Sequence, residues 1–500
     1  MSSGTSTGNN LDVINELPVP PRAIDDSTVQ RDRTTLPFLE PLKSRFIGAD
    51  SAIAFPRSLG AHLNTLEPPR LHSFAWNTGI RSERLLPCPM SMVRLISPED
   101  CEYFSDIYFE EVHPLFGILD RAHYFQQCNN LWSSDRPSMD FEAIFCGVIA
   151  LGSLFSRTNT CMVEAELVEH SRVILELTVS QPGETLSLNY VVAWILRTIY
   201  LRSTTRPHVS WMSSCITMYL AESIGLHKEF SNARLAAKNC PQPLAEKEME
   251  CRRRVFWVAW ALNRLISADY GRSKVQLDNI ECRTFPSEAG DYTNDIVSLA
   301  RLIPDSNSSS QEFAIVVEQN KILDQLFQMR CRFAAFMLLK TDVCFNIYRR
   351  LRLSNAHLTR EQTTIIMSIA TDGLEQAKAL ASQRCPMWNV ISTPFQCVCV
   401  LLSIDTRESL TIVDTAMSLL DEMVEIYDTH LARESARTAR HLIQSLRMKK
   451  VEELDLLEKA TRNTETSPLT QTSSGNELSA FTDILEWPSE DLSDWTQFFK

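Results

Sequence analysis

Apolar side chains recur at intervals of three and four residues from about residue 97 to 460, which is the spacing of amphipathic α-helices. The first helix has a start signal at Ser97–Asp100, where a serine suits the N-cap, a proline the first helical position and two acids the first turn. A polar break at 304–310 separates two sets of further helices. The predicted helices cover 140–157, 161–178, 186–203, 208–226 and 246–270 before the break, and 312–353, 361–383, 391–403, 408–430 and 432–460 after it.

Composition supports a helical protein and divides the chain into segments. The 500 residues include only 14 glycines, and few glycines mean few tight hairpin turns, so the sequence predicts an all-α fold with one large multi-helix domain. We expect disordered tails at both ends, because these segments are polar and have few apolar anchors. The segments are a Ser-, Thr- and Pro-rich tail at 1–45, an extended segment packed on or near the domain at 46–96, the helical domain at 97–460, and an acidic, aromatic tail at 461–500.

The formal net charge of −13 excludes a protein that binds nucleic acid with its whole surface, because phosphate binding relies on clusters of Lys and Arg. No charged segment followed by an apolar one opens the chain, so we do not expect secretion. The apolar runs Phe145–Phe155 and Pro394–Ile404 fall short of the roughly 20 residues of a membrane span, and they predict buried helices. The 14 cysteines are scattered singly, which favours reduced thiols in the cytosol or nucleus.

The most informative stretch is Glu246–Pro286, where a helix becomes apolar nearly all round beyond a run of three arginines. Such a helix is expected in the centre of a core. Glu250 and Arg254 have the i, i+4 spacing of a helical ion pair, and Gly271 is placed to end the helix in a left-handed cap. Gly225 is placed in the same way after the preceding predicted helix.

These residues resemble the signature of the fungal-specific transcription factor domain, which is the middle homology region of zinc binuclear cluster regulators. That signature has a helix ending in Gly-Leu-His, a helix with Glu-x-x-Arg-Arg-x-x-Phe-Trp, and a Gly-Arg turn. The matching positions are Gly225, Leu226, His227, Glu250, Arg253, Arg254, Phe256, Trp257, Gly271, Arg272 and Pro286. Further similarity at 46–51, 108–116 and 393–396 extends the resemblance over residues 45–450.

The resemblance implies a nuclear regulator of transcription that works through its helical regulatory domain and is not an enzyme. The interpretation that we favour is an activator of a specific gene set or gene cluster, although the sequence leaves the sign of the regulation open. The implied partners are the transcription machinery or a coactivator, a DNA-binding family member as a dimer partner, and a small-molecule inducer. The signature residues would be structural.

Two departures from the family pattern matter. Ser273 stands where the family often has proline, which loosens one turn. The zinc cluster of the family needs six closely spaced cysteines, but only Cys88 precedes residue 100, and Cys397 and Cys399 are too close together for half of such a site. We therefore expect no zinc or other cofactor and no sequence-specific DNA binding by this chain alone, the cluster being either lost or outside this sequence.

Two basic runs and one histidine cluster have competing explanations. The run Arg252–Arg254 could contact nucleic acid, but its acidic neighbours favour internal ion pairs, and the basic stretch 433–450 favours a solvated helix face. His113, Asp120 and His123 are close in sequence but lack orienting partners for catalysis. The sequence contains none of the common phosphate-binding, dinucleotide-binding, metalloprotease or serine hydrolase motifs. The alternative function is a helical enzyme or ligand-binding protein, which a concave polar site with convergent titratable groups would favour.

The carboxyl end combines bulky apolar side chains at helical spacing with interleaved acids. The apolar positions are Phe481, Leu485, Leu492, Trp495, Phe498 and Phe499. Acids keep such a segment soluble until the groove of a partner accepts its aromatic face, which predicts a transcriptional activation segment. The alternative is a terminal helix docked on the core of the protein itself.

Overall fold

The computed structural model describes residues 38–40, 45–47, 51–52, 55–63, 78–81, 95–132, 138–180, 186–204, 207–229, 246–304 and 312–465. The helices before the polar break are α1 Phe55–His62, α2 Pro98–Glu111, α3 Arg121–Leu131, α4 Met139–Phe155, α5 Glu164–Ser180, α6 Leu188–Thr204, α7 Pro207–Ser223, α8 Glu246–Asp269 and α9 Thr293–Arg301. Those after it are α10 Glu312–Gln328, α11 Ala334–Leu353, α12 Arg360–Ser382, α13 Ser392–Ile404, α14 Arg407–Tyr427 and α15 His430–Glu465. The prediction of an all-α fold is confirmed.

A pair of short strands is the other regular structure in the described part of the chain. β1 (Phe38–Glu40) runs antiparallel to β2 (Arg45–Ile47). β1 lies inside the segment that composition assigns to a disordered tail. Strands of three residues are too short for an alternating pattern to reveal, so the sequence gives no signal for them.

The core is built largely around α4 and α8. α4 is buried from Ala143 to Phe155 and packs on α2, α5 and α6. It crosses α2 so closely that a Cβ atom on Gly152 would lie 1.9 Å from the carbonyl oxygen of Phe104, so only glycine fits there. α8 packs on α7 and α9 and also contacts α6 and α11, which joins the helices before the polar break to those after it.

Local signals place several helix ends correctly and miss others. α2 begins at the predicted residue, where Ser97 Oγ accepts a hydrogen bond from the Asp100 N–H at 3.1 Å. The predicted helix at 312–353 is wrong, because α10 and α11 are separate helices. The chain turns between them where the ring of Phe333 stacks on Tyr292 at 4.7 Å, a tertiary contact that periodicity does not encode. The sequence also misses α1, α3 and α9, which are short.

Contacts divide the chain into two compact units, residues 1–446 and 447–500, so the end of α15 belongs to the second unit. The predicted activation segment from Phe481 to Phe499 lies outside the described residues. Among the helices that the structure describes, none combines the length and the apolarity that a membrane crossing needs.

Candidate regulatory site

The two signature glycines end helices and turn the chain. Gly225 follows α7 with φ 71°, and the N–H of the next residue, Leu226, bonds back to the Ala221 carbonyl at 2.8 Å. Gly271 follows α8 with φ 58°, and the Arg272 N–H bonds back to the Ser267 carbonyl at 2.9 Å. Both are left-handed caps that favour glycine, since a side chain would be strained at this φ. Leu226 is buried beside the first cap, as the sequence suggested.

Arg253 ties α8 to two loops. Its guanidinium forms an ion pair with Glu229, which follows α7, and a second one with Glu246 at 2.7 Å. Hydrogen bonds from Arg253 hold the pKa of Glu229 below its ordinary value. The Glu229 carboxylate also accepts the backbone N–H of Arg283 at 3.2 Å, so one buried acid links the end of α7, the start of α8 and the loop after α8.

Arg254 makes a second set of contacts on the neighbouring side of α8. Its Nε lies 2.9 Å from Glu250 Oε1, which is the i, i+4 pair expected from the sequence, and it also pairs with Asp291. The guanidinium stacks over the ring of Phe285 at 4.6 Å, and Nη2 reaches the carbonyl oxygen of Pro286 at 3.4 Å. The arginine run therefore forms internal contacts, with Arg252 donating to the Ile224 carbonyl at 3.1 Å.

The aromatic residues of the signature complete this clamp. Phe256 is fully buried, and the Trp257 indole N–H donates to the carbonyl oxygen of Arg283 at 2.9 Å. Arg301 of α9 lies over the Trp257 ring at 4.8 Å. The contacts of Arg253, Arg254 and Trp257 hold the segment 283–291 and α9 against α8.

The histidine cluster near α3 is dispersed into separate local contacts. His113 Nε2 bonds with the carbonyl oxygen of Leu119 at 2.8 Å, and burial lowers the pKa of this histidine. Asp120 is the N-cap of α3, where it accepts the His123 N–H at 2.8 Å, and it pairs with Lys247 at 2.6 Å. Nor does the described part of the chain bring three His, Cys, Asp or Glu side chains together as a metal ion would require.

A buried polar cluster lies where α6, α8, α11 and the residues just before α13 meet, and we call it the polar junction. Arg202 of α6 pairs with Asp269 at the end of α8, Nη2 to Oδ2 3.0 Å. The same guanidinium lies over the rings of Tyr270 and Trp388, 5.2 and 5.3 Å from their centroids. A cation, an acid and two aromatic rings are thus enclosed at one place.

Asp342 of α11 extends the junction. Its Oδ2 accepts a hydrogen bond from Asn389 Nδ2 at 2.9 Å. Burial and the negative charge of Asp269 raise its pKa to about 8. Asp342 keeps some accessible surface, although the neighbouring α11 residues 338–341 and 343–349 are buried. Asp342 is thus less buried than its neighbours on the same helix.

Several polar atoms of the junction lack a partner within the described part of the chain. They are Asn346 Oδ1, Trp388 Nε1 and Asn389 Oδ1, each on a side chain at least nine-tenths buried. Unsatisfied buried polar groups cost roughly 1–3 kcal/mol each, so such a cluster in a native protein indicates bound water or a ligand. The sequence does not predict this site directly. One pattern points to it, which is the spacing of Asp342, Asn346 and Arg349 at i, i+4 and i+7 on an otherwise apolar helix.

Comparison with known proteins gives a consistent family. Residues 105–364 match the model of the fungal specific transcription factor domain. The chain is 38% identical to Protein RDR1 of Saccharomyces cerevisiae over 87% of this chain and 80% of that protein. It is 36% identical to the transcription factor kojR of Aspergillus oryzae over 82% of this chain and 72% of the relative, and 33% identical to Protein RDR1 of Gibberella zeae over 85% and 76%. No solved structure matches the chain. The chain is a regulator of transcription that belongs to the fungal specific transcription factor domain family.

Proposed function

We propose that this regulator acts in the nucleus as an effector-controlled activator of a specific gene set, with its helical domain as the receptor for a small molecule. The observation that carries the proposal is the polar junction, where orphaned polar atoms and partly accessible carboxylates are enclosed in an apolar core. Such an arrangement is costly in the free domain, and a ligand that supplies the missing hydrogen bonds removes the cost.

The chemistry of the junction defines the class of ligand. The amide oxygens of Asn346 and Asn389 accept hydrogen bonds, and the indole N–H of Trp388 donates one. Because the pKa of Asp342 is raised to about 8, its carboxyl is protonated at neutral pH and is a further donor. Arg202 already neutralises Asp269. With Asp342 protonated and Asp269 paired, the site suits a small neutral molecule that carries hydroxyl groups, because a charged ligand would lose its hydration without meeting an unpaired opposite charge.

The position of the junction supports a regulatory role rather than an enzymatic one. Its residues come from helices on both sides of the polar break, so a ligand bound there favours one packing of the two helix sets over another. The separate contacts of His113, Asp120 and His123 give no catalytic constellation to compete with this view. We further propose that the domain reaches promoters by pairing with a DNA-binding family member and activates through a coactivator bound to the carboxyl tail.

The test uses a substitution that removes an orphaned group and keeps an aromatic side chain. Trp388→Phe should leave the thermal midpoint of the chain unchanged or raised, because it removes a buried polar atom that lacks a partner. In a fusion to an unrelated DNA-binding module, the parent chain should give reporter activity that differs between media with different carbon and nitrogen sources. The variant should lose that response.

Tyr348→Phe is the matched control, because the Tyr348 hydroxyl is buried but already bonded to Ser403 Oγ at 2.8 Å. It should lower stability by about 1 kcal/mol and keep the medium response. The proposal fails if Trp388→Phe responds to the media as the parent does. It also fails if this variant loses stability as the control does, because the indole N–H would then be satisfied by water in the free protein.

A further inference from the structure

The last turns of α15 carry an apolar surface that faces solvent. Up to Leu446, which is buried, the helix packs on the domain. Beyond it, five large apolar side chains within ten residues are each more than half exposed. They are Met448, Val451, Leu454, Leu456 and Leu457. Monomeric soluble proteins seldom leave such a concentration of apolar side chains uncovered, so the surface is of the kind that binds a partner.

Four of these residues form one face, which we call the α15 face. Met448, Val451, Leu454 and Leu457 follow at intervals of three, so at 100° per residue Val451 and Leu454 lie side by side in its centre, flanked by the other two. Leu456 points to the opposite side of the helix. Arg447 lies seven residues before Leu454, and Glu458 lies seven residues after Val451. Residues seven apart lie on the same side of a helix, so these two charges stand at the two ends of the row formed by Val451 and Leu454.

Charge along residues 447–458 is divided into two blocks, and these are followed by Lys459, which pairs with Asp455 of the same helix at 2.8 Å. The basic block contains Arg447, Lys449 and Lys450, and the acidic block contains Glu452, Glu453, Asp455 and Glu458. Two such helices side by side in the same direction would bring like charges together. In opposite directions, the basic block of each faces the acidic block of the other, so the segment is complementary to a reversed copy of itself.

We propose that a second copy of this chain covers the α15 face, with the two helix ends antiparallel and related by a two-fold axis. The two-fold axis then passes between residues 452 and 453 of both helices. A residue on one side of this midpoint contacts the residue of the other copy that lies equally far on the other side. Val451 of each copy packs on Leu454 of the other, and Arg447 of each pairs with Glu458 of the other. Every contact occurs twice, as a closed two-fold interface requires.

The interface is short, at about three turns of helix per copy, so the dimer should be weak and dependent on concentration, with dissociation in roughly the micromolar range. Sedimentation equilibrium of the full chain over a series of concentrations measures this directly. Leu454→Glu should weaken association more than about tenfold, because it places two charges in the centre of the apolar layers. The matched control is Leu456→Glu, which changes a leucine of similar exposure, 66% against 59%, on the other side of the same helix and should leave association unchanged.

A charge exchange tests the antiparallel direction. Arg447→Glu and Glu458→Arg should each weaken the dimer, because each places like charges opposite each other twice. The double variant should restore it. Residues 447 and 458 are eleven positions apart, about 16 Å along the helix, so they cannot compensate each other within one copy. All these positions are exposed, so the variants should fold, and circular dichroism checks that they do.

Several results would overturn the proposal. A chain that stays monomeric throughout the series, or equal losses for Leu454→Glu and Leu456→Glu, would show that the α15 face does not self-associate. Failure of the double variant to restore the dimer would exclude the antiparallel register. If the full chain is monomeric and deletion of 466–500 makes it associate, the occupant of the face is the tail of the same chain.

Discussion

Trp257 illustrates what a signature residue does in this domain. It is buried, its N–H holds the carbonyl oxygen of Arg283, and its ring lies beneath the guanidinium of Arg301. One side chain thus joins α8 to the following loop and to α9. The signature combines such contacts with the ion pairs of Arg253 and Arg254, so its residues join α8 to the segments that pack on it.

Removing the Trp257 side chain should therefore be costly. We expect Trp257→Ala to destabilise the domain by roughly 3–5 kcal/mol, because a buried aromatic leaves a cavity that cannot fully close and the Arg283 carbonyl loses its donor. Trp260→Ala, on the partly exposed side of the same helix, is the control and should cost clearly less. Chemical denaturation measures both. A loss below about 1 kcal/mol for Trp257→Ala would show that α8 is peripheral.

Asp342 gives a prediction that depends on pH. In the unfolded chain an aspartate titrates near pH 4, whereas burial raises the pKa of Asp342 in the folded domain to about 8. Between these values the folded protein holds a proton that the unfolded chain has released, so this residue removes about 1.4 kcal/mol of stability for each pH unit of increase. The Asp342→Asn variant has no titrating group at this position, so its stability does not fall in this way as the pH increases. Its stability relative to the parent should therefore rise between pH 5 and pH 7.5, as measured by urea denaturation, and a difference that is independent of pH would contradict the shift.

At the scale of helices, the sequence predicts what is encoded locally. The caps at Ser97, Gly225 and Gly271 depend on a few adjacent residues, so their patterns predict them correctly. α3 was missed because its sequence is mostly polar and its buried residues, such as Tyr124, find their apolar partners on other helices. The split between α10 and α11 depends on Phe333 meeting a ring far away in sequence. Such contacts are created by the tertiary fold and leave no periodic pattern.

The candidate site is only partly predicted by the sequence. The signature residues lie close together along the chain, so their pattern predicts them. The polar junction is not predicted, because Arg202, Asp269, Asp342 and Asn389 are separated by more than forty residues at each step and come together only through the packing of four elements. Within α11 alone, the polar i, i+4, i+7 spacing was present, but one such stripe on a helix is more often a solvated face.

At the scale of the whole molecule, the three proposed functions belong to different parts of the chain. The polar junction lies in the described helical core, and the α15 face lies past Leu446 in the second compact unit. The predicted activation segment follows in the residues after 465, where composition and not structure supports it. A receptor, an association surface and an activation segment are the parts that an effector-controlled regulator needs, and their separation lets each be altered alone.

The carboxyl tail gives the last prediction, because its two interpretations have opposite outcomes. If the residues after 465 form a tethered activation segment, deleting them should leave the thermal midpoint of the helical domain nearly unchanged, since no core surface is uncovered. Fused to an unrelated DNA-binding module, the segment should activate a reporter. Replacing Trp495, Phe498 and Phe499 with alanine should abolish this activity at constant charge, because acids attract basic surfaces but only apolar anchors fill a groove. A deletion that lowers stability by several kcal/mol, together with an inert fusion, would instead identify a helix docked on the core.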